Sequence, residues 1–246
     1  MRTMQLLPGA ASNGDKLPAD PLHGERSHAD RRWRRHAVLS NAVLEPLYEL
    51  NRVYLHTLAR TPRQWHTTAG HVRLPDPVCL ALIALPPEQC TIAARCPFSL
   101  FNAHFQDDGW WAALANPAAV EERDARTEAN YSQLGTFAQP ALFFAWHLAQ
   151  SNPAAARVVF GMAAATLAVF RTLTLTRLQQ IALEHPDVIV PRWPERAAFW
   201  KALLGAVPRS PEECASEAHL VGLQMLAAEL PEPQERRAAS LRARRP

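Results

Sequence analysis

The stretch Ile92-Ala93-Ala94-Arg95-Cys96-Pro97 recurs 89 positions later, from 92 to 181, as Ile181-Ala182-Leu183-Glu184-His185-Pro186. Trp110-Trp111-Ala112-Ala113-Leu114 recurs at the same spacing as Phe199-Trp200-Lys201-Ala202-Leu203. A proline that ends a helix and a pair of aromatic residues that fill a core therefore return in the same order. Such self-similarity is typical of an internally repeated architecture.

A third match lies upstream of these two. His56-Thr-Leu-Ala-Arg-Thr-Pro62 recurs as His147-Leu-Ala-Gln-Ser-Asn-Pro153, here with a spacing of 91 from 56 to 147. Three collinear matches with a net shift of two residues predict a tandem duplication with units at about 54–114 and 145–204. The alternative is that common helical patterning alone produces the matches.

Proline and polar breaks divide the chain into apolar periodic segments of helical length, which predicts an all-α fold. The only strand-like signals are Val188-Ile189-Val190 and a weak alternation over Ser99–Phe105. We expect two tandem helical units that form a pseudo-dimeric bundle, with disordered basic ends. The aromatic residues at matching places of the two units are expected to be packing anchors. These are Phe105, Trp110, Trp111, Trp193, Phe199 and Trp200.

The predicted organisation follows from changes in composition and periodicity. It comprises a disordered basic arm at 1–35, a first helical unit at 36–116, a linker or helix at 117–136, a second helical unit at 137–207, a C-terminal helix at 208–230 and a basic tail at 231–246.

Two helices carry clear signals of their own. Leu47, Leu50, Tyr54, Leu55 and Leu58 form an apolar stripe at helical spacing, and Pro46 is expected in the first turn of that helix. Ser210-Pro211-Glu212-Glu213 combines a capping serine, a proline at the first position and a glutamate at the third, so a helix is predicted to start there.

The composition of the 246 residues narrows the class of protein. A 48% hydrophobic content is too high for a wholly disordered chain. Only 9 glycines occur, and no GxGxxG or GxxxxGK[ST] motif is present, so the common nucleotide sites lack support. No apolar run is long enough for a membrane helix, and no signal peptide is evident. Four cysteines without a CxxC pair favour reduced thiols in a cytoplasm.

Charge is concentrated at the two ends of the chain. Lys16 and Lys201 are the only lysines among 26 basic residues, and the abundant Arg, Ala and Pro suggest a GC-rich bacterial coding sequence. Arginines cluster at 31–35 and again at 236–245, while the net charge is only +3. Basic ends on a nearly neutral body suit an anionic partner, nucleic acid or a membrane surface, although solvated ends are an equal alternative.

The run Leu50–Leu114 resembles the flagellar transcriptional regulator FlhD. That family has a glycine helix of the type Phe-Arg-Leu-Gly, a short Leu-Thr-Leu helix and a Phe-Arg-Phe-Asp-Asp segment before a final helix. Phe105-Gln106-Asp107-Asp108 lies at the last landmark of unit one. In unit two, Val158-Val159-Phe160-Gly161 and Leu173-Thr174-Leu175-Thr176-Arg177-Leu178 lie at the first two, whereas Trp193-Pro194-Glu195-Arg196 departs from the third.

The resemblance implies a helical DNA-binding activator that works with a zinc-containing partner, FlhC. Relatives of this pair also occur on integrative conjugative elements. A chain with two such units could imitate the FlhD homodimer within one polypeptide, and the departure at Trp193–Arg196 leaves DNA contact there in doubt.

Arginines would make the DNA contacts, because they bridge phosphates and read guanine. The candidates are Arg31, Arg32, Arg34, Arg35, Arg177, Arg192 and Arg196. Each of them could equally be an ordinary solvated arginine.

A metal site and a catalytic site have less support in the sequence. Cys79, Cys90, Cys96 and His104 have spacings unlike structural zinc sites, so small buried thiols are the preferred interpretation and no cofactor or metal is predicted. No GxSxG motif occurs. His56 and His147 are interpreted as structural, His185 as a helix end, and Asp107-Asp108 as a turn or cap.

We therefore expect a cytoplasmic, non-enzymatic transcriptional regulator that binds DNA with an FlhC-like subunit and does not bind membranes. It could also form a homo-oligomer. The alternatives are a helical adaptor or scaffold of a secretion or conjugation system without a DNA role, and an enzyme of unrecognised type.

Overall fold

A computed structural model describes residues 38–60, 74–116, 133–185, 187–205 and 210–230, all within a compact unit that starts at Val38. These ranges contain ten helices and one two-stranded sheet, so the all-α prediction is confirmed. The first half comprises α1 (Asn41–Arg60), α2 (Asp76–Ile83), α3 (Pro87–Ala94), β1 (Phe101–Asn102) and α4 (Asp108–Ala115). The second half comprises α5 (Gln133–Ser151), α6 (Pro153–Phe160), α7 (Ala164–Thr172), α8 (Leu175–Glu184), β2 (Val190–Pro191) and α9 (Ala197–Leu203), and α10 (Pro211–Glu229) follows.

Polar caps define where several helices begin. The side chains of Asp107, Asn152, Thr174 and Ser210 each accept a hydrogen bond from the backbone N–H three residues on. These bonds satisfy amide groups that a helix leaves unpaired at its first turn. The helix start predicted at Ser210 and the cap predicted at Asp107–Asp108 are both confirmed.

One predicted helix position is wrong. Pro46 lies in the second turn of α1, because the helix already begins at Asn41. Helix α5 begins at Gln133, within the segment 117–136 that is predicted as a linker or helix. The predicted arm 1–35 and tail 231–246 lie outside the described residues.

The long helices α1 and α5 pack against each other at the centre of the core. The predicted stripe of α1 is confirmed, since Leu47, Tyr54, Leu55 and Leu58 are buried and Leu50 is partly buried. The aromatic anchors are buried too, except Trp110, which is partly exposed. Aromatic rings from both halves therefore share one core, as in the T-shaped contact of Trp111 with Phe170 at 4.4 Å between centroids.

The two weak strand signals pair with each other. Phe101 lies opposite Pro191 and Asn102 opposite Val190, in an antiparallel register. With the sequence spacing of 89, Phe101 corresponds to Val190 and Asn102 to Pro191. Phe101 thus pairs with the counterpart of Asn102, and Asn102 pairs with the counterpart of Phe101. A two-fold axis between the strands produces this pattern.

The same spacing relates further details beside the strands. His104 and Trp193 are the only non-glycine residues with positive φ in the described ranges, at 52° and 48°. Trp111 donates its indole N–H to the carbonyl of Ala103 at 2.9 Å, and Trp200 donates to Arg192 at 3.1 Å. The helix packing shows the same relation, because α4 packs on α7 and the equivalent helix α9 packs on α2. The described halves are therefore related by an approximate two-fold axis, while their origin by duplication stays a prediction.

Helix α10 breaks this relation. It packs on α9 and α3, and Gly222 lies so close to the ring of Phe98 that a β-carbon there would overlap it. The aromatic residues under α10, among them Phe98, Trp193 and Phe199, are buried. Within the described ranges, α10 therefore covers the surface that α9 and α3 form.

Candidate nucleic-acid interface

The folded arginines predicted to contact DNA occupy three different environments. Arg31, Arg32, Arg34 and Arg35 lie outside the described residues. Arg192 follows β2, Arg196 directly precedes α9, and Arg177 lies in the first turn of α8. They do not form one cluster, because each guanidinium is held by a separate set of groups.

Arg192 is buried, with 3% of its surface exposed. Its Nη2 lies 2.6 Å from Glu229 Oε2, and its Nη1 donates to Val159 O at 3.1 Å and to Ser99 Oγ at 3.3 Å. Burial lowers the pKa of Arg192, whereas the charge of Glu229 opposes that change. An ion this deep needs such a partner set.

The surroundings of this ion pair leave no room for a phosphate. The guanidinium stacks over the Trp193 ring at 4.7 Å, and the Trp193 indole N–H donates to Glu229. Gly161, in the left-handed region at φ 63°, lies directly below, where a β-carbon would collide with Arg192. The structure therefore does not support the predicted DNA contact of Arg192, which instead holds the end of α10 against both halves.

Arg177 connects α8 with the end of α4. Its Nε donates to the carbonyl of Leu114 at 2.8 Å, and Nη1 lies 3.6 Å from Glu184. Bonding to the terminal carbonyls of a helix suits a cation. With 13% of its side chain exposed, Arg177 contributes mainly to the contact between halves. A cleft of about 340 Å³ beside it is lined by Ala115, Thr172, Leu173, Thr174, Thr176, Arg177 and Gln180.

Arg196 is the one predicted contact among the described residues whose guanidinium faces solvent. Its side chain is 64% exposed and its Nε lies 3.5 Å from Glu195, itself 62% exposed. Such an exposed pair is weak. A phosphate could therefore compete for Arg196 at little cost, and Lys201 lies on α9, the short helix that Arg196 precedes.

Charge differs between equivalent positions of the two halves. Arg196 corresponds to Asp107 at the spacing of 89, and both residues precede the first turn of a short aromatic helix. Asp108 follows in the first half, where the second has Ala197. The α9 end of the molecule is consequently basic where the α4 end is acidic.

Sequence reasoning missed Glu229 and the role of Gly161. Glu229 forms its ion pair across 37 positions, and no local pattern signals that contact. The sequence does single out Gly161 as part of the Val158–Gly161 landmark, but it gives no structural reason for a glycine at this position. Its left-handed conformation ends α6 and makes space for the guanidinium.

The cysteines and histidines show structural surroundings. Burial raises the pKa of Cys90 and, more strongly, that of Cys96, whose thiol donates to Ala93 O at 3.0 Å. His185 ends α8 as predicted. Within the ranges that the structure describes, no three histidine, cysteine or carboxylate side chains lie together as a metal site.

Comparisons with known proteins found no matching family model, no similar curated protein and no similar solved structure. Among the described helices, none is by itself long and apolar enough to cross a membrane. Only α2 and α3 taken together reach that length, and they are bent by 120°.

Proposed function

We propose that this chain is a cytoplasmic, non-enzymatic transcriptional regulator of the FlhD type that binds DNA together with an FlhC-like subunit. The observation that carries the proposal is the approximate two-fold axis through β1 and β2. A single chain with this symmetry presents two similar faces, as a homodimer does. Within one chain the two faces can diverge, so that one of them contacts the DNA and the other does not.

The two faces differ in charge. The face around α9 carries Arg196 and Lys201, whereas the equivalent positions around α4 carry Asp107 and Ala112. Duplex DNA repels carboxylates and attracts arginines, so the α9 face is the one assigned to the phosphate backbone. The arm with Arg31, Arg32, Arg34 and Arg35 adds a second set of contacts, whereas Arg177 and Arg192 support the fold.

The test is a salt series of DNA binding. Fluorescence anisotropy of a labelled duplex is measured from low to physiological salt, with the chain alone and with an FlhC-like partner. Arg196→Ala should weaken binding at low salt and lower the salt slope by about one unit, because one phosphate contact is lost. The control is Arg52→Ala, since Arg52 pairs with Glu49 on the exposed side of α1 and lies outside the assigned face.

A second candidate function is a helical adaptor of a secretion or conjugation system. Large apolar side chains are exposed on three helices, for example Leu80, Leu183 and Leu220 at 67%, 56% and 64%. Such residues often mark contacts with other proteins. If neither the chain nor its complex binds DNA at low salt, the regulator proposal fails and the adaptor becomes the better candidate.

A further inference from the structure

The outer side of α10 is apolar although it faces solvent. The inner side, which is buried against the fold, consists of Cys214, Ala215, Ala218, Gly222 and Leu226. On the outer side, Leu220 is 64% and Leu223 36% exposed. A helix at a protein surface ordinarily carries polar residues on the side that faces water, whereas a helix that is apolar on both sides is covered on both.

Four exposed residues of α10 form one line along this outer side. Ser216, Leu220, Leu223 and Ala227 follow one another at spacings of four, three and four residues, and we call them the outer stripe. This spacing keeps side chains on one face of a helix and is typical of a contact between two helices. None of the four side chains is ionised, and the Ser216 hydroxyl already donates to the Glu212 carbonyl at 2.8 Å. Covering the outer stripe therefore buries no charge and leaves no hydroxyl proton unpaired.

We propose that the outer stripe binds the outer stripe of a second copy of this chain, with the two α10 helices antiparallel. The two-fold axis of this dimer passes between Leu220 and Leu223. Each Leu220 then lies opposite Leu223 of the second copy, and each Ser216 lies opposite Ala227. Large side chains meet at the centre and small ones at both ends, so the stripe is complementary to itself, as a two-fold contact requires.

Charge at the two ends of α10 favours the antiparallel orientation. The helix begins with Glu212 and Glu213, and it ends where the tail 231–246 leaves, with Arg236 and Arg237 near the start of that tail. In an antiparallel pair the carboxylates of one copy lie beside the end of the other copy's helix, so opposite charges are neighbours. A parallel pair would bring like charges together at both ends, and its helix dipoles would be aligned unfavourably.

The chain's own tail is a poorer occupant of the outer stripe. Leu241 is the only large aliphatic residue among positions 231–246, which otherwise offer alanine, proline and polar or charged side chains. A second copy supplies two leucines at the matching spacing. Because only one helix of each copy makes the contact, the interface is small, and we expect dissociation constants in the micromolar range.

The dimer does not depend on the proposed function, although it bears on it. Helix α9 packs directly on α10, so the axis that relates two α10 helices also relates two α9 helices. Where the chain binds DNA, a dimer therefore offers Arg196 twice, once for each of two half-sites.

Sedimentation equilibrium of the full chain tests the contact without DNA. Wild type should show a monomer–dimer equilibrium in the micromolar range. Leu220→Glu/Leu223→Glu should raise the dissociation constant at least about hundredfold, since it removes the buried leucines and sets carboxylates opposite each other. The matched control is Leu80→Glu/Leu183→Glu, which makes the same change at 67% and 56% exposed leucines of α2 and α8 and should leave the constant unchanged.

Cysteine cross-linking tests the orientation. A mixture of the Ser216→Cys and Ala227→Cys chains should form a disulfide-linked dimer under mild oxidation, because the two positions face each other. Ser216→Cys alone should not, since the two copies of position 216 lie about 16 Å apart along the helix axis and a disulfide needs Cα atoms within about 7 Å. Wild type controls for the four native cysteines.

Three outcomes would overturn the proposal. The first is a wild-type chain that stays monomeric throughout the micromolar range, in which case the chain's own tail or a different protein covers the stripe. The second is a dimer that Leu220→Glu/Leu223→Glu leaves intact. The third is a cross-link in Ser216→Cys alone that is as abundant as in the mixture.

Discussion

The carboxylate of Glu229, at the end of α10, lies 2.6 Å from the buried guanidinium of Arg192, and its other oxygen accepts the indole N–H of Trp193. Two adjacent residues of the second half thus hold the last turn of a helix that otherwise packs on α9 and α3. Arg192 is almost completely buried, so its charge depends on these partners.

Removing Glu229 should destabilise the protein strongly. Glu229→Ala leaves Arg192 charged and buried without its partner, so we expect a loss of about 3 kcal/mol in the free energy of unfolding. Urea denaturation followed by circular dichroism measures this. Gln224→Ala, on an exposed position of the same helix, should change stability by less than about 0.5 kcal/mol. In Arg192→Met/Glu229→Ala the loss should be smaller than for Glu229→Ala alone, and a larger one would contradict the argument.

Gly161 should not tolerate alanine. Gly161→Ala forces a side chain into the left-handed region at φ 63° and against Arg192 and Glu229. The strain alone costs about 1–3 kcal/mol. Gly109→Ala is the matched control, because a β-carbon there meets only Asp107 Oδ1 at 3.6 Å. That substitution, inside α4, should leave stability unchanged or raise it by about 0.5–1 kcal/mol.

The close approach of α10 to Phe98 offers a paired test. Gly222→Ala should lower the thermal unfolding midpoint, since the new methyl overlaps the Phe98 ring. Overpacking of this kind costs typically about 1–3 kcal/mol. Adding Phe98→Leu should recover part of the loss in Gly222→Ala although it is harmful alone. Purely additive losses in the double variant would show that α10 does not pack as described.

Asn51 is a buried amide that connects α1 with the end of α3. Its Nδ2 donates to Ala94 O and Phe98 O at 3.2 and 2.9 Å, and its Oδ1 accepts from the Leu100 N–H at 3.0 Å. Asn51→Ala leaves these backbone groups unpaired, so we expect a loss of roughly 3 kcal/mol in chemical denaturation. Gln179→Ala on the exposed side of α8 should have little effect, and equal losses in the two variants would refute this role.

His219 should make stability depend on pH. It is partly buried in α10, its Nε2 has no hydrogen-bond partner among the described residues, and burial lowers its pKa. The unfolded chain then binds the proton more readily than the folded one. Stability is therefore full above the ordinary histidine pKa near 6.5 and falls as the pH drops below it.

Denaturation midpoints at pH 7.5 and 5.5 check this expectation. The drop between the two pH values should be smaller in His219→Gln than in wild type. His147→Gln removes an exposed histidine of α5 and should preserve the drop. An unchanged drop in His219→Gln would assign the pH dependence to other groups.

The sequence predicts the fold class better than it predicts the tertiary contacts. Spacing of apolar residues, prolines and capping side chains locates the helices, because these signals act within a few residues. The strand signals at Ser99–Phe105 and Val188–Val190 were visible as well, although nothing local says that they pair. The prediction for Pro46 was wrong because a helix tolerates a proline in its second turn when the burial of other side chains outweighs the lost hydrogen bond. In α1 those side chains include Leu47 and Tyr54.

The fate of the predicted arginines depended on distant residues. Arg192 and Arg196 look alike in sequence, four positions apart. Arg192 is buried because Ser99, Val159 and Glu229 converge on it from three segments, whereas Arg196 faces solvent. Only the tertiary structure separates a core ion from a surface contact.

The pairing of β1 with β2 also bears on how the chain is made. During synthesis Phe101 leaves the ribosome long before Pro191, its partner in the sheet. Until then the first half exposes an unpaired strand edge and the side of α1 that α5 covers. Exposed edges and apolar faces of this kind attract other chains. The nascent protein is therefore most prone to association with other chains before its second strand emerges.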